Sequence, residues 1–216
     1  MRNFIKSKNA FTMLELILVI VVLGILAAVA IPRLDRDLRQ EAADSILADI
    51  RYTQHLAMID DVTNPFNPKW QRAFWRIGFE SCAGGSGMYE YVGSDKNYGG
   101  GIDDIEAATD PANGKKMIWS GANCSNGGNA NTSDRIFVTK KYGITSVDNG
   151  CSNNNQYIGF DHLGRLMNGF AGSTTPDYAS YRSTPCQLTF TMTDGNFSIT
   201  IEPETGYAFI SDQPNS

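Results

Sequence analysis

Residues 11–31 are apolar at nearly every position, and Glu15 is the one ionisable side chain among them. That length matches one helical crossing of a bilayer, which takes roughly 20 residues. A carboxylate inside such a run needs a reason, because at a span's centre it costs roughly 2.5–3.5 kcal/mol on insertion scales. Arg2, Lys6 and Lys8 precede the run. By the positive-inside rule this basic leader stays cytoplasmic and the rest of the chain goes outward. Pro32 fixes its own φ and lacks an N–H donor, so a kink or a restart of the helix is expected there. Beyond it, Leu34, Leu38, Ala42, Ile46, Ile50 and Ala57 recur near helical spacing, with Leu47 and Thr53 alongside. Arg36, Asp37, Arg39, Glu41, Asp44 and Asp49 form the expected wet face. Residues 32–62 therefore predict an amphipathic helix that continues the apolar one and lays one face on a globular head. The two together make roughly fifty residues, or about 75 Å of helix.

Thr63, Asn64, Pro65, Asn67 and Pro68 end this pattern, and the period then changes to two. Strands are expected at 73–80, 88–92, 116–119, 135–140, 156–161, 187–193, 197–202 and 207–211. The runs LTFTMT and FSITI flank Thr193, Asp194, Gly195 and Asn196, a strong hairpin signal. Glu204, Thr205 and Gly206 look like the following turn. Residues 63–216 thus read as a loop-rich antiparallel β head. The fold class is α+β, with a long N-terminal helix packed on an antiparallel sheet.

Composition adds limits. A hydrophobic share of 42% and a charged share of 19% are ordinary for a folded core. The net charge of -5 argues against a nucleic-acid partner, since phosphate binding wants a basic face. Cys82, Cys124, Cys151 and Cys186 form no CxxC pair, and neither His55 nor His162 stands near them, which argues against zinc. Disulfides in an oxidising compartment fit better. The cysteines fall in or beside Gly/Asn/Ser-rich loops at 84–87, 99–101 and 121–133, where a crosslink restrains what packing does not. Four cysteines allow three connectivities. The favoured one pairs Cys82 with Cys124 and Cys151 with Cys186.

No catalytic constellation emerges, and no cofactor is expected. His162 adjoins Asp161, but neighbours on a strand point to opposite faces. The glycine clusters lack the Lys and the following helix of a phosphate-binding loop. Asp95, Asn97, Asp103, Asp104 and Glu106 crowd one glycine-rich loop. Asp95, Asp103 and Asp104 are weak calcium candidates, because oxygen ligands on a flexible loop can hold that ion. The favoured reading is a solvated acidic loop with no metal. Lys115 and Lys116, and Lys140 and Lys141, form basic doublets, read as solvated strand ends in preference to a DNA-holding patch.

The N-terminal run admits three readings: a cleaved signal peptide, a plain anchor, or something that uses Glu15. A signal peptide has a shorter apolar core and a small-residue cleavage site after it. Here the apolar pattern continues past Ala27, Ala28 and Ala30 to Ile31, and a helical pattern follows. At the junction NAFTMLE the chain resembles the type IV prepilin family, including the pseudopilins of type II secretion. Phe11, Thr12, Glu15, Gly24 and Pro32 stand at the matching places, and Ala10 replaces the usual Gly before the cut. The resemblance implies a leader at 1–10, cleavage between Ala10 and Phe11 by a prepilin peptidase, and N-methylation of Phe11. It also implies assembly with other pilins or pseudopilins through 11–31, where Glu15 meets the new Phe11 amine.

In the head, Phe160, Gly164, Thr205 and Gly206 resemble positions in the GspH/FimT-type minor pseudopilins. The expectation is a non-enzymatic minor pilin or pseudopilin of a type IV pilus or type II secretion filament. It would be a single-pass protein of a bacterial inner membrane with a periplasmic head. A DNA-uptake minor pilin and a major pilin are the alternatives.

Overall fold

The computed structural model describes residues 12–125, 127–151 and 156–211, with the side chains of all of these except 28–37. The chain divides into two compact units, Met1–Leu38 and Arg39–Ser216. Helix α1, Met13–Ile59, contributes to both.

In the first unit, α1 begins just after Thr12, whose hydroxyl accepts the Glu15 N–H at 3.3 Å. That bond satisfies one of the free donors of a helix start, and the Glu15 side chain lies at the positive end of the helix dipole. The following Leu, Ile and Val side chains are exposed on every side of the helix, Leu18 at 60% and Ile25 at 62%. The helix continues through Pro32 without restarting. A proline removes one N–H donor, and the turns on either side keep theirs. Among the described residues no helix is long and apolar enough to cross a membrane. The expected span at 11–31 includes Phe11, which lies outside the described residues, and 28–31, whose side chains do too.

The second unit holds two four-stranded antiparallel sheets. Strands β1 (Trp75–Ser81), β2 (Met88–Gly93), β4 (Tyr157–Phe160) and β5 (Leu166–Met167) form one, in the order β2-β1-β4-β5. Strands β3 (Ile144–Asn149), β6 (Cys186–Met192), β7 (Gly195–Ile201) and β8 (Ala208–Ile210) form the other, in the order β3-β6-β7-β8. The hairpin expected around 193–196 is present. Met192 pairs with Gly195, so Thr193 and Asp194 are the turn residues, and Gly195 takes the positive φ.

One core joins the sheets and the helix. Ile77 and Phe79 of β1, Leu188 and Phe190 of β6, and Ile199 and Ile201 of β7 alternate inward. Phe79 packs edge-on against Phe190 at 5.1 Å, and Phe190 stacks on Phe197 at 4.8 Å. Helix α1 covers them with Ala42, Ala43, Ile46, Leu47, Ile50 and Ala57. The predicted stripe is therefore the buried face from Ala42 onward, whereas Leu38 is exposed. A smaller cluster of Trp70, Phe74, Met167 and Phe170 lies apart from it.

Two expected strands are not strands. Residues 135–140 fold instead into a turn of 3-10 helix, Asp134–Ile136, and then helix α2, Val138–Tyr142. Ser133 accepts the Arg135 N–H at the start, and left-handed Gly143 closes the end by donating to Thr139 and Val138. These caps outweigh the strand preference of Ile136, Phe137 and Val138. Residues 116–119 make only isolated bridges through Lys116, to Thr109 and Thr132.

The helix is locked to two turns of the head by Gln54. Its amide donates to the Gly164 carbonyl at 2.9 Å and to the Thr205 carbonyl at 2.7 Å. Gly206 sits beneath them at φ +60°, and a Cβ there would run into the Gly164 carbonyl oxygen and the Gln54 amide. Phe160, Gly164, Thr205 and Gly206 thus converge around one helix residue. We expect Gly206→Ala to lower the stability of the purified protein by at least about 1–3 kcal/mol, the cost of a non-glycine residue in this conformation. Thermal denaturation with Gly172→Ala as the control checks this, since a Cβ at Gly172 meets open space.

Candidate functional site

Two features carry chemistry. The first is the start of α1. Thr12 fixes the first turn, and Glu15 is exposed there among apolar side chains. No ion pair to Glu15 occurs among the described residues. Ala10 and Phe11, the expected cleavage and methylation positions, lie outside the described residues. A helix that is apolar all round needs a cover of lipid or protein.

The second is a buried charge cluster in the head. Arg135 donates from Nη2 to Asp49 Oδ1 at 2.6 Å, from Nε to Asp110 Oδ2 at 3.0 Å, and from Nη1 to the Ser45 hydroxyl at 3.0 Å. Asp110 also accepts from the Ser133 hydroxyl and the Ala112 N–H. The Glu90 side chain from β2 lies beside Asp49. Asp49 is 2% exposed and Glu90 1%. Asp49 Oδ2 and Glu90 Oε2 each lack a donor while both acids are ionised. A proton shared between them would supply it.

The electrostatics follow from burial. Burial pushes Glu90 well above the usual carboxylate range, and the charge of Asp49 adds to this. Burial also raises Asp49, with Arg135 pulling the other way. Burial acts upward on Asp110 too, but Ser133, the Ala112 N–H and Arg135 outweigh it and hold Asp110 below its ordinary value. Asp49 is a correction to the expected wet face. It was legible in part, because Ile46, Asp49, Ile50 and Thr53 follow helical spacing on one face. Glu90 lies between inward-facing Met88 and Val92. Sequence alone did not reveal that Arg135 meets both elements.

The other candidates lie as follows. Cys82 is bonded to Cys124, with Cα atoms 5.8 Å apart, and Cys151 to Cys186, at 4.8 Å. Asp95 is buried, not solvated, and accepts the Gly99 and Gly100 N–H groups at 2.8 and 2.7 Å. Asp103 accepts from the Asn97 amide, and Glu106 accepts the Asn97 and Asp103 N–H groups. Asp104 is exposed. Asp95, Asp103 and Glu106 thus bond their own loop, and no group of three acidic, His or Cys residues that could hold a metal ion occurs among the described residues. Asp161 accepts from Arg165 and from two turn N–H groups, while His162 Nδ1 lies 3.7 Å from Asp61. They form no dyad. Lys115 lies 3.8 Å from Asp134, Lys141 lies 3.6 Å from Glu41, and Lys116 donates to the Ala107 carbonyl.

Residues 5–31 match the family model of the prokaryotic N-terminal methylation motif. No curated protein and no solved structure matches the chain. The motif supports a type IV pilin-like precursor, a structural subunit processed by a prepilin peptidase and assembled with other pilins. The match is confined to the N-terminal stretch and does not extend to the head.

The cluster sets a pH dependence. Folding raises Glu90, so its contribution is complete below the ordinary carboxylate range, about pH 4 to 5, and is lost as pH rises toward the folded value. Asp110 acts oppositely, and its contribution is lost as pH falls through its depressed value. We expect Glu90→Gln, which keeps an N–H donor for Asp49 and cannot ionise, to flatten the fall in melting temperature on the alkaline side. Melting curves of both proteins across neutral pH check it. Parallel pH profiles would rule out this role for Glu90.

Proposed function

We propose that the chain is a minor pilin or pseudopilin of a type IV pilus or type II secretion filament, in the manner of the GspH/FimT-type subunits it resembles. The observation that carries this reading is the methylation motif at 5–31 coinciding with a carboxylate on the first turn of an uncovered apolar helix. Cleavage between Ala10 and Phe11 creates a positive amine four residues before Glu15. In a filament the helix of one subunit covers that of the next, which takes both charges out of water. A buried charge is tolerable only when paired, so the Glu15 carboxylate of a neighbour, or of the same chain, meets the Phe11 amine and sets the axial register.

Before assembly, residues 11–31 sit in a bacterial inner membrane with the head in the periplasm, an oxidising place that suits both disulfides. The head does no chemistry in this reading. Its irregular loops at 84–87, 99–101 and 121–133 favour a minor subunit over a major one, whose long polymer wants a compact, repeated surface. Against DNA uptake stand the net charge of -5 and the pairing of Lys115 and Lys141 with acids and of Lys116 with a carbonyl, while Lys140 is exposed.

Co-expressed with a prepilin peptidase, the membrane-extracted protein should start at Phe11 by N-terminal sequencing and carry a methyl group by mass. A start at Met1, or near Ala30, overturns the reading. Glu15→Gln should still be cleaved but enter filaments poorly, since leaving one partner of a buried pair unmatched costs about 3–5 kcal/mol. Quantifying the subunit in sheared filaments measures this.

A further inference from the structure

The outer face of the first sheet carries a cavity that assembly does not use. Arg76, Gly78 and Glu80 project from β1 on the side opposite to Ile77 and Phe79. Tyr89 and Tyr91 of β2 stand across from Glu80 and Gly78, and the Tyr91 ring lies over Gly78, where any side chain would collide with it. Gly100 and Trp119, from two loops, close a cavity of about 280 Å³ over these side chains.

The guanidinium in its wall is anomalous. Arg76 is 2% exposed. Its Nη2 donates to the Gly100 carbonyl at 3.1 Å, and its plane sits 5.3 Å from the Tyr157 ring centre. Nε and Nη1 have no partner. No ion pair to Arg76 occurs among the described residues. A buried charge in this state is costly until an anion meets it. Indole Nε1 of Trp119, on the same cavity, is also buried without an acceptor. Among the described residues the one acceptor on Arg76 is a neutral carbonyl from a run of three glycines, 99–101, and the Tyr91 hydroxyl lies close by. Gly100 there is at φ +100°, and the preceding Tyr98 is a non-glycine residue at φ +61°. Asp95 holds that run through the Gly99 and Gly100 N–H groups, so it does not turn to follow the guanidinium.

These groups define a ligand. A carboxylate meets Arg76 at Nε and Nη1, the two nitrogens that lack an acceptor. The apolar C–H face of a ring lies against Tyr91 and Trp119. Hydroxyls donate to Glu80, which already accepts from Tyr89 at 2.7 Å, and accept from the Trp119 indole. The carboxylate of Glu80 nearby favours a singly charged anion over a phosphate. We propose that this cavity binds a uronic acid residue, the acidic ring of an anionic polysaccharide, with its carboxylate on Arg76. The proposal does not depend on the assembly role.

The test uses the full-length protein in detergent, titrated by calorimetry and by tryptophan fluorescence with sodium galacturonate, galactose and sodium acetate. Galacturonate should saturate both signals and bind at least about tenfold more tightly than either control, a gap of about 1.4 kcal/mol. Trp119→Phe should abolish the fluorescence change. Arg76→Lys should weaken galacturonate by at least about tenfold and leave galactose unchanged. Glu80→Gln, at an exposed position, keeps the test valid if the Arg76 variant does not fold, and it should weaken galacturonate and galactose alike. Absence of saturation, equal binding of galactose, or equal binding of acetate each overturns the proposal.

Discussion

Arg135 holds Asp49 of the helix and Asp110 of a loop in one grip, and Glu90 of β2 presses on Asp49 from the strand side. Three largely buried acids lie around a single base that is itself 22% exposed. Coulomb attraction alone does not settle such a cluster, because each buried charge also loses its hydration. Burial keeps Glu90 well above the usual carboxylate range, which lowers the charge to be neutralised, and the hydroxyls of Ser45 and Ser133 bond Arg135 and Asp110. The cluster therefore specifies how the helix meets the head more sharply than apolar packing does. Alanines and isoleucines tolerate a small slide, whereas a displaced guanidinium would leave Asp49 and Asp110 without their cation.

The Gln54 lock works by the same logic with uncharged groups. One amide satisfies carbonyls of two separate turns, and glycine at 206 is what lets the turns approach. With the Arg135 cluster one to two turns away along α1, the helix is held at two points. The first unit faces the opposite problem. Its apolar side chains have no cover, and its carboxylate has no cation among the described residues. The head covers its own apolar side chains, whereas those of the terminal helix need a cover of lipid or protein.

The Arg76 cavity departs from this economy. Elsewhere in the head Asp95, Asp110 and Asp161 are buried and met by donors. Arg76 keeps two nitrogens without acceptors. Sequence reading passed over it, because alternation along β1 puts Arg76 on an outer face, where an arginine draws no notice. Only the loops folding over that face bury it.

Local pattern sufficed for much of this protein. The helical period from Ala42 to Ala57, the alternation in β6 and β7 and their hairpin are properties of short segments, and neighbours along the chain decide them. The motif at 5–31 is likewise a local string. Tertiary structure decided what depends on distant partners. Residues 135–140 have strand-like side chains, yet the caps at Ser133 and Gly143 and packing into the core made them helical. Strand β3 runs through polar residues at 145, 146, 148 and 149, so its period was too weak to read, and pairing with β6 defines it. The division into two sheets, the burial of Asp49 and the sealing of Arg76 each require groups far apart in sequence to meet. A chain read one residue at a time carries no term for such meetings, because their free energy belongs to the pair.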